Sequence, residues 1–326
     1  MSLIKKANEL NVQTRIKMLI YGQAGMGKTT LALSAPKPLL IDFDNGVNRV
    51  NYAHIKDTVQ IESYYDLLTV LNNEDLAPFE TIVIDTGGKM LDAMAAYIIA
   101  NNPKLGRSNG MLTQQGYGQR KAEFTALLRL LYSKNKDVVF VAHRKSVNDN
   151  DETRYVPLFG GSNYDDLVTE LDLVGYLEAN GRKRTITFDP TSRNDGKNTC
   201  NLPSVMEIPE IVDAKGNAKG ENNFLSDTVF TMYRNRLIER SVEGKAYATL
   251  MGELEGKIEK IENADQANAF VASINSYNHI GNSKSIAAKK FQAKCNALGL
   301  TYNKGEKLYS DPQPQTEPQE TAANES

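Results

Sequence analysis

Short apolar runs alternate with stretches of helical periodicity over the first two thirds of the chain. Each run has the length of a buried strand rather than of a helix. The runs are Met18–Tyr21, Pro38–Phe43, Thr81–Asp85, Val138–Ala142, Leu171–Leu177 and Arg184–Phe188. Strands that alternate with helices predict an α/β fold, in which helices cover a mostly parallel sheet of at least six strands.

The pattern changes after residue 208. Residues 209–224 are polar and contain glycine, as is typical of a linker, and beyond them the periodicity becomes helical. Helices are predicted over Ala246–Ile261, after a capping Asn263, and over Ser285–Leu298. The sequence thus predicts an α/β core at 1–208, a linker at 209–224, a small α-helical domain at 225–309 and a disordered acidic tail at 310–326.

Composition places the chain among ordinary globular proteins. Of 326 residues, 40% are hydrophobic and 24% are charged. No apolar run is long enough to span a membrane and the N-terminus lacks a signal-peptide core, so we expect a cytoplasmic protein with no membrane partner. Two cysteines are too few for a disulfide framework or a zinc site.

The net charge of −2 is unevenly distributed. Between residues 101 and 148 nine basic residues stand against two acidic ones, a local excess of seven positive charges. The basic residues are Lys104, Arg107, Arg120, Lys121, Arg129, Lys134, Lys136, Arg144 and Lys145. This excess is a local nucleic-acid signal that the chain as a whole does not carry.

The first apolar run leads into the motif on which the functional prediction depends. Residues 22–29 match G-x-x-x-x-G-K-[ST], the phosphate loop, between a predicted strand and a predicted helix. Glycines let backbone N–H groups wrap a phosphate, the lysine supplies a positive charge, and the threonine hydroxyl can ligate Mg²⁺. The predicted ATP-binding residues are Gly22, Gln23, Ala24, Gly25, Met26, Gly27, Lys28, Thr29 and Thr30.

Asp85 ends the third apolar run, at the carboxyl end of a predicted strand. Such a carboxylate suits Mg²⁺ binding together with Thr29, although capping of the next turn is the alternative. An extra strand between the phosphate-loop strand and the magnesium strand typifies the ATPase division rather than nucleotide kinases. Many AAA+ proteins carry a second acid directly after the magnesium aspartate, but here Thr86 follows.

These motifs together resemble phage-encoded RecA-like nucleotide-binding proteins that are grouped with single-strand annealing recombinases. The resemblance covers roughly residues 14–205 and rests on GQAGMGKTT, LLIDFDNG, TIVIDT, Tyr117-Gly118, VVFVAH and the later Asp172–Leu177 strand. It implies that Asp44 activates the attacking water, with Asp42 as the alternative acid. It also implies that His143, at the end of VVFVAH, senses the γ-phosphate.

The resemblance further implies residues that act between subunits and on DNA. In RecA-like rings and filaments a basic residue near the last strands reaches the neighbour's γ-phosphate, and Arg184 and Arg193 are the preferred candidates here, with plain surface solvation as the alternative for each. The segment from Lys145 to Tyr164 carries Tyr155, Phe159 and Tyr164. These rings are predicted either to stack on bases or to anchor the segment on the core.

The expected function is therefore a Mg-ATP-hydrolysing, RecA-like ATPase of phage DNA recombination or replication in the host cytoplasm. It would bind or anneal single-stranded DNA as a homo-oligomer, with a phage recombination or single-strand-binding protein as a further partner. One alternative is an ATPase that loads or remodels a protein partner. Another is a nucleotide-gated binding module with negligible turnover.

Overall fold

The computed structural model describes residues 4–5, 9–10, 12–149, 152–160 and 163–312. The chain forms two compact units. One is Gln13–Leu237, and the other is formed by Ile238 and the residues after it together with the N-terminal twelve. Residues 313–326 of the predicted tail lie outside the described ranges. Within those ranges, no helix combines the length and the apolar composition needed to cross a membrane.

The first unit alternates strands and helices in chain order, as predicted. Its strands are β1 (Lys17–Gly22), β2 (Pro38–Asp42), β3 (Thr58–Gln60), β4 (Thr81–Asp85), β5 (Asp137–Asp149), β6 (Glu152–Pro157), β7 (Leu173–Asn180), β8 (Lys183–Thr187), β9 (Lys197–Asn198) and β10 (Val205–Ile208). Its helices are α1 (Lys28–Ala32), α2 (Tyr64–Asn73), α3 (Gly87–Asn101), α4 (Gln114–Ser133) and α5 (Asn163–Glu170), followed by a π-helical segment (Phe224–Phe230) and by α6 (Thr231–Glu259).

The sheet places β1 at its centre. The strand order is β10-β8-β7-β1-β5-β4-β2-β3, and every neighbouring pair from β7 to β3 is parallel. The strand between β1 and β4 is therefore β5, while β2 lies on the far side of β4. This arrangement confirms the predicted helix-covered, mostly parallel sheet.

Both faces of the sheet are buried, which explains why its strands read as continuous apolar runs. Leu19 and Tyr21 of β1 pack in one core layer with α2, α3 and α4. Met18 and Ile20 point the other way, into a layer that contains α1 and the π-helical segment. The carboxyl ends of β1, β2, β4 and β5 consequently meet along one edge of the sheet.

β5 runs further than the sequence predicts. The prediction ends this strand at His143, but β5 continues to Asp149 and pairs antiparallel with β6, from Arg144 opposite Pro157 to Asp149 opposite Glu152. We call this extension the β5–β6 hairpin. Its residues Lys145–Asn148 are exposed. Because the hairpin lacks a buried apolar face, it gives no strand periodicity in the sequence.

The segment predicted as a linker, residues 209–224, lies within the first unit, and we call it the strap. Val212 and Ala218 form an antiparallel bridge, and Glu210 pairs with both Arg182 and Lys219. The π-helical segment that follows buries its apolar side chains against α1. The polar, turn-forming composition of residues 209–224 agrees with the irregular structure of the strap, but it does not predict the contacts that hold the strap in place.

The boundary between the two units lies later in the chain than the predicted linker. The chain divides at Leu237, within α6. This helix begins at Thr231, well before the predicted start at Ala246. The first turns of α6 therefore belong to the α/β unit, and a continuous helix, rather than a linker, crosses the boundary.

The second unit contains the later part of α6, and it confirms a small helical region after the α/β core. Its other elements are α7 (Ala264–Ser273), α8 (Ser283–Ala297), β11 (Thr301–Asn303) and β12 (Leu308–Ser310). Phe270 and Phe291 stack with their centroids 5.1 Å apart in its core. Asn263 caps α7 as predicted, since its Oδ1 accepts a hydrogen bond from the Gln266 N–H at 3.0 Å.

A buried acid joins the start of β5 to two other parts of the first unit. Asp137 is fully buried, and its Oδ1 accepts a hydrogen bond from the Ile16 N–H at 2.8 Å. Its other oxygen pairs with the Arg234 guanidinium of α6. This carboxylate therefore connects β5 to the residue that precedes β1 and to α6.

We expect Asp137→Ala to lower the free energy of unfolding by about 2–4 kcal/mol, because it leaves a buried N–H and a half-buried guanidinium without their acceptor. Chemical denaturation followed by circular dichroism measures the change. Asp57→Ala, at an exposed residue, is the control. A loss below about 0.5 kcal/mol, which is usual for surface substitutions, would contradict this reading.

Candidate nucleotide-binding site

The loop between β1 and α1 turns back on itself over residues 22–29. Gly25 and Gly27 adopt φ angles of +79° and +87°, a left-handed conformation in which a side chain is strained. At Gly22 a Cβ atom would lie 2.5 Å from the carbonyl oxygen of Leu177 on the neighbouring β7. The motif glycines are thus required by backbone geometry, and they shape the predicted phosphate loop at the carboxyl end of β1.

Lys28 lies inside the curve of this loop. Its side chain is buried, and Nζ donates a hydrogen bond to the carbonyl oxygen of Gln23 at 2.8 Å. Burial lowers the pKa of Lys28, whereas the nearby carboxylates of Asp85 and Asp44 act to raise it. The charged end of the lysine therefore faces both the loop carbonyls and the acids of the neighbouring strands.

Thr29 and Asp85 meet at the same edge. The Thr29 hydroxyl donates to Oδ2 of Asp85 at 2.5 Å. Burial raises the pKa of Asp85 to about 6, with Asp42 and Asp44 adding to the rise, while the Thr29 hydrogen bond and Lys28 oppose it. Hydroxyl and carboxylate oxygens are the ligands that Mg²⁺ takes beside substrate phosphates, so this pair fits the predicted ion.

Within the described ranges, no group of three or more His, Cys, Asp or Glu side chains could hold a metal ion. A magnesium ion at Thr29 and Asp85 would accordingly take its remaining ligands from a bound phosphate and from water. This is the usual manner of Mg²⁺ binding at nucleotide sites.

The two acids at the end of β2 have different environments. Asp42 is buried, and its two oxygens accept hydrogen bonds from the backbone N–H groups of Asp44, Gly46 and Val47 at 2.9–3.1 Å. Asp44 is half-exposed, and its Oδ2 lies 2.9 Å from Nη2 of Arg49. Asp42 therefore shapes the loop, while Asp44 remains accessible beside the lysine.

His143 lies level with the start of the phosphate loop, because it pairs with Gly22 in the register of β5 and β1. It is half-buried. Burial and the charges of Lys28, Arg49 and Lys89 lower the pKa of its imidazole, and Asp44 opposes them. The register of β5 and β1 therefore brings His143 to the edge of the sheet where the phosphate loop begins, although not at the end of its strand.

A pocket of about 350 Å³ opens next to the phosphate loop. It is bounded by Gly27, Thr30 and Leu31, by Leu177 and Arg184, and by residues 208–213 and 221–224 at the strap. Asn222 closes one side, since its Nδ2 donates to the carbonyl oxygen of Thr30 at 2.7 Å. The volume is within the range of small-molecule sites. The sequence does not predict that the strap borders a pocket, because a polar segment with a Lys-Gly-Asn turn is typical of a linker.

The comparison with known families agrees with this geometry. A family model described as an AAA domain matches residues 14–200, more than half of the chain. The chain belongs to the AAA domain family. No curated protein matches it. The AAA-type P-loop NTPase assignment indicates nucleotide binding and hydrolysis, usually with Mg²⁺.

This AAA domain lacks a second acid after Asp85, and the structure shows what replaces it. Thr86 caps α3, and its Oγ1 accepts a weak hydrogen bond from the Lys89 N–H at 3.5 Å. Asp44, on the loop after β2, is a half-exposed carboxylate near Lys28.

Arg184, which is predicted to reach a neighbouring subunit, contacts the phosphate loop of its own chain. Its Nε donates to the carbonyl oxygen of Met26 at 2.9 Å, within the phosphate loop of its own AAA domain. The reason is the short β7–β8 connection, which returns β8 to the same edge of the sheet. Arg193 is exposed, and its carbonyl oxygen accepts a hydrogen bond from the Tyr155 N–H at 2.8 Å, beside the hairpin.

The aromatic side chains after His143 are mostly anchors. Phe159 is 1% exposed and packs with Phe124 and Phe140, so of its two predicted roles, base stacking and anchoring on the core, the structure supports anchoring. The Tyr164 hydroxyl donates to Asp195 at 3.0 Å. Tyr155 stacks on Tyr176 with centroids 5.9 Å apart. Contacts within the protein account for all three rings without DNA.

The basic excess between residues 101 and 148 does not form one patch. Lys134 and Lys136 precede β5, whereas Lys145 lies beyond the sheet at the other edge. The extended strand between Lys136 and Lys145 spans about 30 Å. Lys121 is also paired, with Asp166 at 3.1 Å. The charge excess counted along the sequence is therefore divided between two edges.

We expect Asp85→Asn to stabilise the nucleotide-free protein by about 1–3 kcal/mol at pH 7.5, because it removes a buried charge whose pKa is raised from 3.8 to about 6. The folded state holds this proton more tightly, so the cost in the wild type grows as pH rises from about 4 to 6. The stabilisation should therefore disappear near pH 4. Denaturation at both pH values measures it, and equal effects at both would contradict the assignment.

We expect Arg184→Ala to weaken nucleotide affinity about tenfold, since a charged donor to the phosphate loop is lost. Because the contact lies within one chain, mixing Arg184→Ala protein with Lys28→Ala protein should restore no ATPase activity. The matched control is Arg193→Ala mixed in the same way. Recovered activity in the Arg184→Ala mixture would show that this side chain acts on a neighbouring subunit.

Proposed function

We propose that this AAA domain protein binds and hydrolyses Mg-ATP and couples the reaction to single-stranded DNA, in phage recombination or replication. The observation that carries the ATPase part is the Thr29–Asp85 hydrogen bond beside buried Lys28, on a loop whose Gly27 and Thr30 border a pocket of about 350 Å³. Oxygen ligands, a positive charge and an adjoining pocket are the three features that a nucleoside triphosphate requires.

Each side chain of the proposed nucleotide site has a separate role in ATP binding or hydrolysis. Lys28 and the backbone N–H groups of the loop bind the phosphates, and the strap pocket takes the nucleoside. Thr29 and Asp85 hold Mg²⁺, which when bound neutralises charge on the phosphates. Asp44 orients and deprotonates the attacking water, and Arg49 holds the Asp44 carboxylate in place through their 2.9 Å contact.

The DNA part is supported by where the hairpin starts. β5 carries His143 beside the phosphate loop and then projects as the β5–β6 hairpin, whose exposed strands carry Lys145 and Arg154. Arg193 is exposed next to them. Arg154 pairs with Asp195, so this surface is only moderately basic. We propose weak, sequence-independent contacts with DNA phosphates, strengthened by assembly into a homo-oligomer.

The alternative is a partner of a different class. A moderately charged hairpin above an ATPase site also suits a protein that is loaded or remodelled, such as a phage recombination or single-strand-binding protein. Without turnover, the same site would act as a nucleotide-gated binding module. Hydrolysis with and without DNA separates these three functions.

The test measures ATP hydrolysis with and without a single-stranded oligonucleotide at about 50 and 200 mM salt, where phosphate contacts lose affinity steeply. Lys28→Ala should abolish tight ATP binding. Asp44→Asn should bind ATP but lower turnover about 10²-fold or more, because it keeps the size of the side chain and removes the base.

Asp42→Asn is the matched comparison, since it alters the acid that shapes the loop and should mainly lower stability. If folded Asp42→Asn protein loses hydrolysis while Asp44→Asn protein keeps it, the base is Asp42. Hydrolysis that DNA leaves unchanged at low salt, together with no DNA binding, would favour the protein-remodelling function.

A further inference from the structure

Gln23 contacts two different parts of the site. Its backbone carbonyl oxygen accepts the hydrogen bond from Lys28 Nζ at 2.8 Å. Its side-chain Oε1 accepts a second hydrogen bond, from Nη2 of Arg144 at 3.0 Å. One residue of the phosphate loop therefore touches the phosphate-binding lysine on one side and the base of the β5–β6 hairpin on the other.

Arg144 uses its whole guanidinium group at this position. Nη1 donates to the Tyr176 hydroxyl at 2.6 Å, and the group lies 3.9 Å from the centroid of the Tyr155 ring. Tyr155 belongs to β6 and in turn stacks on Tyr176 of β7. A planar, forked cation can hold two acceptors and a ring face at once, which a lysine cannot do.

The contacts of Arg144 connect the base of the β5–β6 hairpin to the phosphate loop and to β7. Beyond His143 the hairpin leaves the sheet, and Lys145–Asn148 are exposed. The Tyr21 hydroxyl donates to the carbonyl oxygen of Tyr155 at 3.2 Å, a second attachment between β1 and β6. The hairpin base is thus fixed to the strand and to the loop that hold the nucleotide.

We propose that Arg144 is a positioning residue that couples the β5–β6 hairpin to the occupant of the phosphate loop through Gln23. The inference rests on the proposed nucleotide binding. When Lys28 engages a phosphate, the Gln23 carbonyl loses or weakens that hydrogen bond, and the peptide that carries the Gln23 side chain reorients. Arg144 transmits this change to the Tyr155 ring, so the hairpin takes different positions when the phosphate loop is empty and when it holds a nucleotide.

The absence of tryptophan from the sequence allows a direct reporter. Val147 lies on the hairpin with 41% exposure, and Val147→Trp introduces the only indole of the chain. Its emission is recorded without nucleotide, with ADP and with a non-hydrolysable ATP analogue, in the absence of DNA. Calorimetry on the same protein measures the affinity of each nucleotide, and thermal unfolding checks that the reporter variant is folded.

We expect the reporter to distinguish the nucleotide-free from the nucleotide-bound protein, and we expect Arg144→Lys to reduce that difference about fivefold or more, with nucleotide affinity little changed. Tyr176→Phe removes only the hydroxyl that receives Nη1 and should reduce it partly. Arg129→Lys, the same exchange at an exposed position of α4, is the matched control and should leave it intact.

Two results would contradict the coupling alone, and a third would contradict the proposed function as well. If Arg144→Lys lowers only the unfolding temperature and leaves the nucleotide-dependent emission intact, Arg144 is a structural staple and the coupling is wrong. If nucleotide binds but the reporter emission is the same with and without it, the coupling is also wrong while the ATPase proposal stands. If calorimetry detects no nucleotide binding, the proposed function and this inference fall together.

Discussion

The burial of a lysine and an aspartate at one edge of a parallel sheet is the constraint on which the rest of this site depends. Burial lowers the pKa of Lys28 and raises that of Asp85, so both charged forms are disfavoured, and each partly relieves the other. Phosphate supplies the negative charge that Lys28 lacks, and Mg²⁺ supplies the positive charge that Asp85 lacks. Ligand binding therefore removes a cost that the folded chain carries.

The surrounding acids make sense in relation to this constraint. Asp42 and Asp44 both add to the rise in the pKa of Asp85, but each has partners of its own. Three backbone N–H groups satisfy the oxygens of Asp42, and Asp44 reaches solvent and Arg49. In the proposed site, one acid would thereby shape the loop, one would hold the ion, and one would be available for chemistry.

Two structures outside the parallel part of the sheet contact the phosphate loop from opposite sides. One is β8 with the strap, and the other is the β5–β6 hairpin. On one side, β8 and the strap bring Arg184 to the Met26 carbonyl and Asn222 to the Thr30 carbonyl. On the other side, the β5–β6 hairpin brings Arg144 to the Gln23 side chain. Both are held by hydrogen bonds to the loop itself, so a change in the loop can reach either of them.

Local sequence was sufficient to predict six strands of the sheet and the phosphate loop. Buried parallel strands are continuous apolar runs, and a left-handed turn around a phosphate requires glycine, so both features are visible in a few consecutive residues. Only the tertiary structure decided that Arg184 contacts the phosphate loop of its own chain, that Phe159 is core rather than a base-stacking platform, and that the strap borders a pocket. Each of those outcomes depends on partners that are distant along the chain, such as Met26 for Arg184 and Phe124 for Phe159, and no local pattern of charge or hydrophobicity specifies such a pairing.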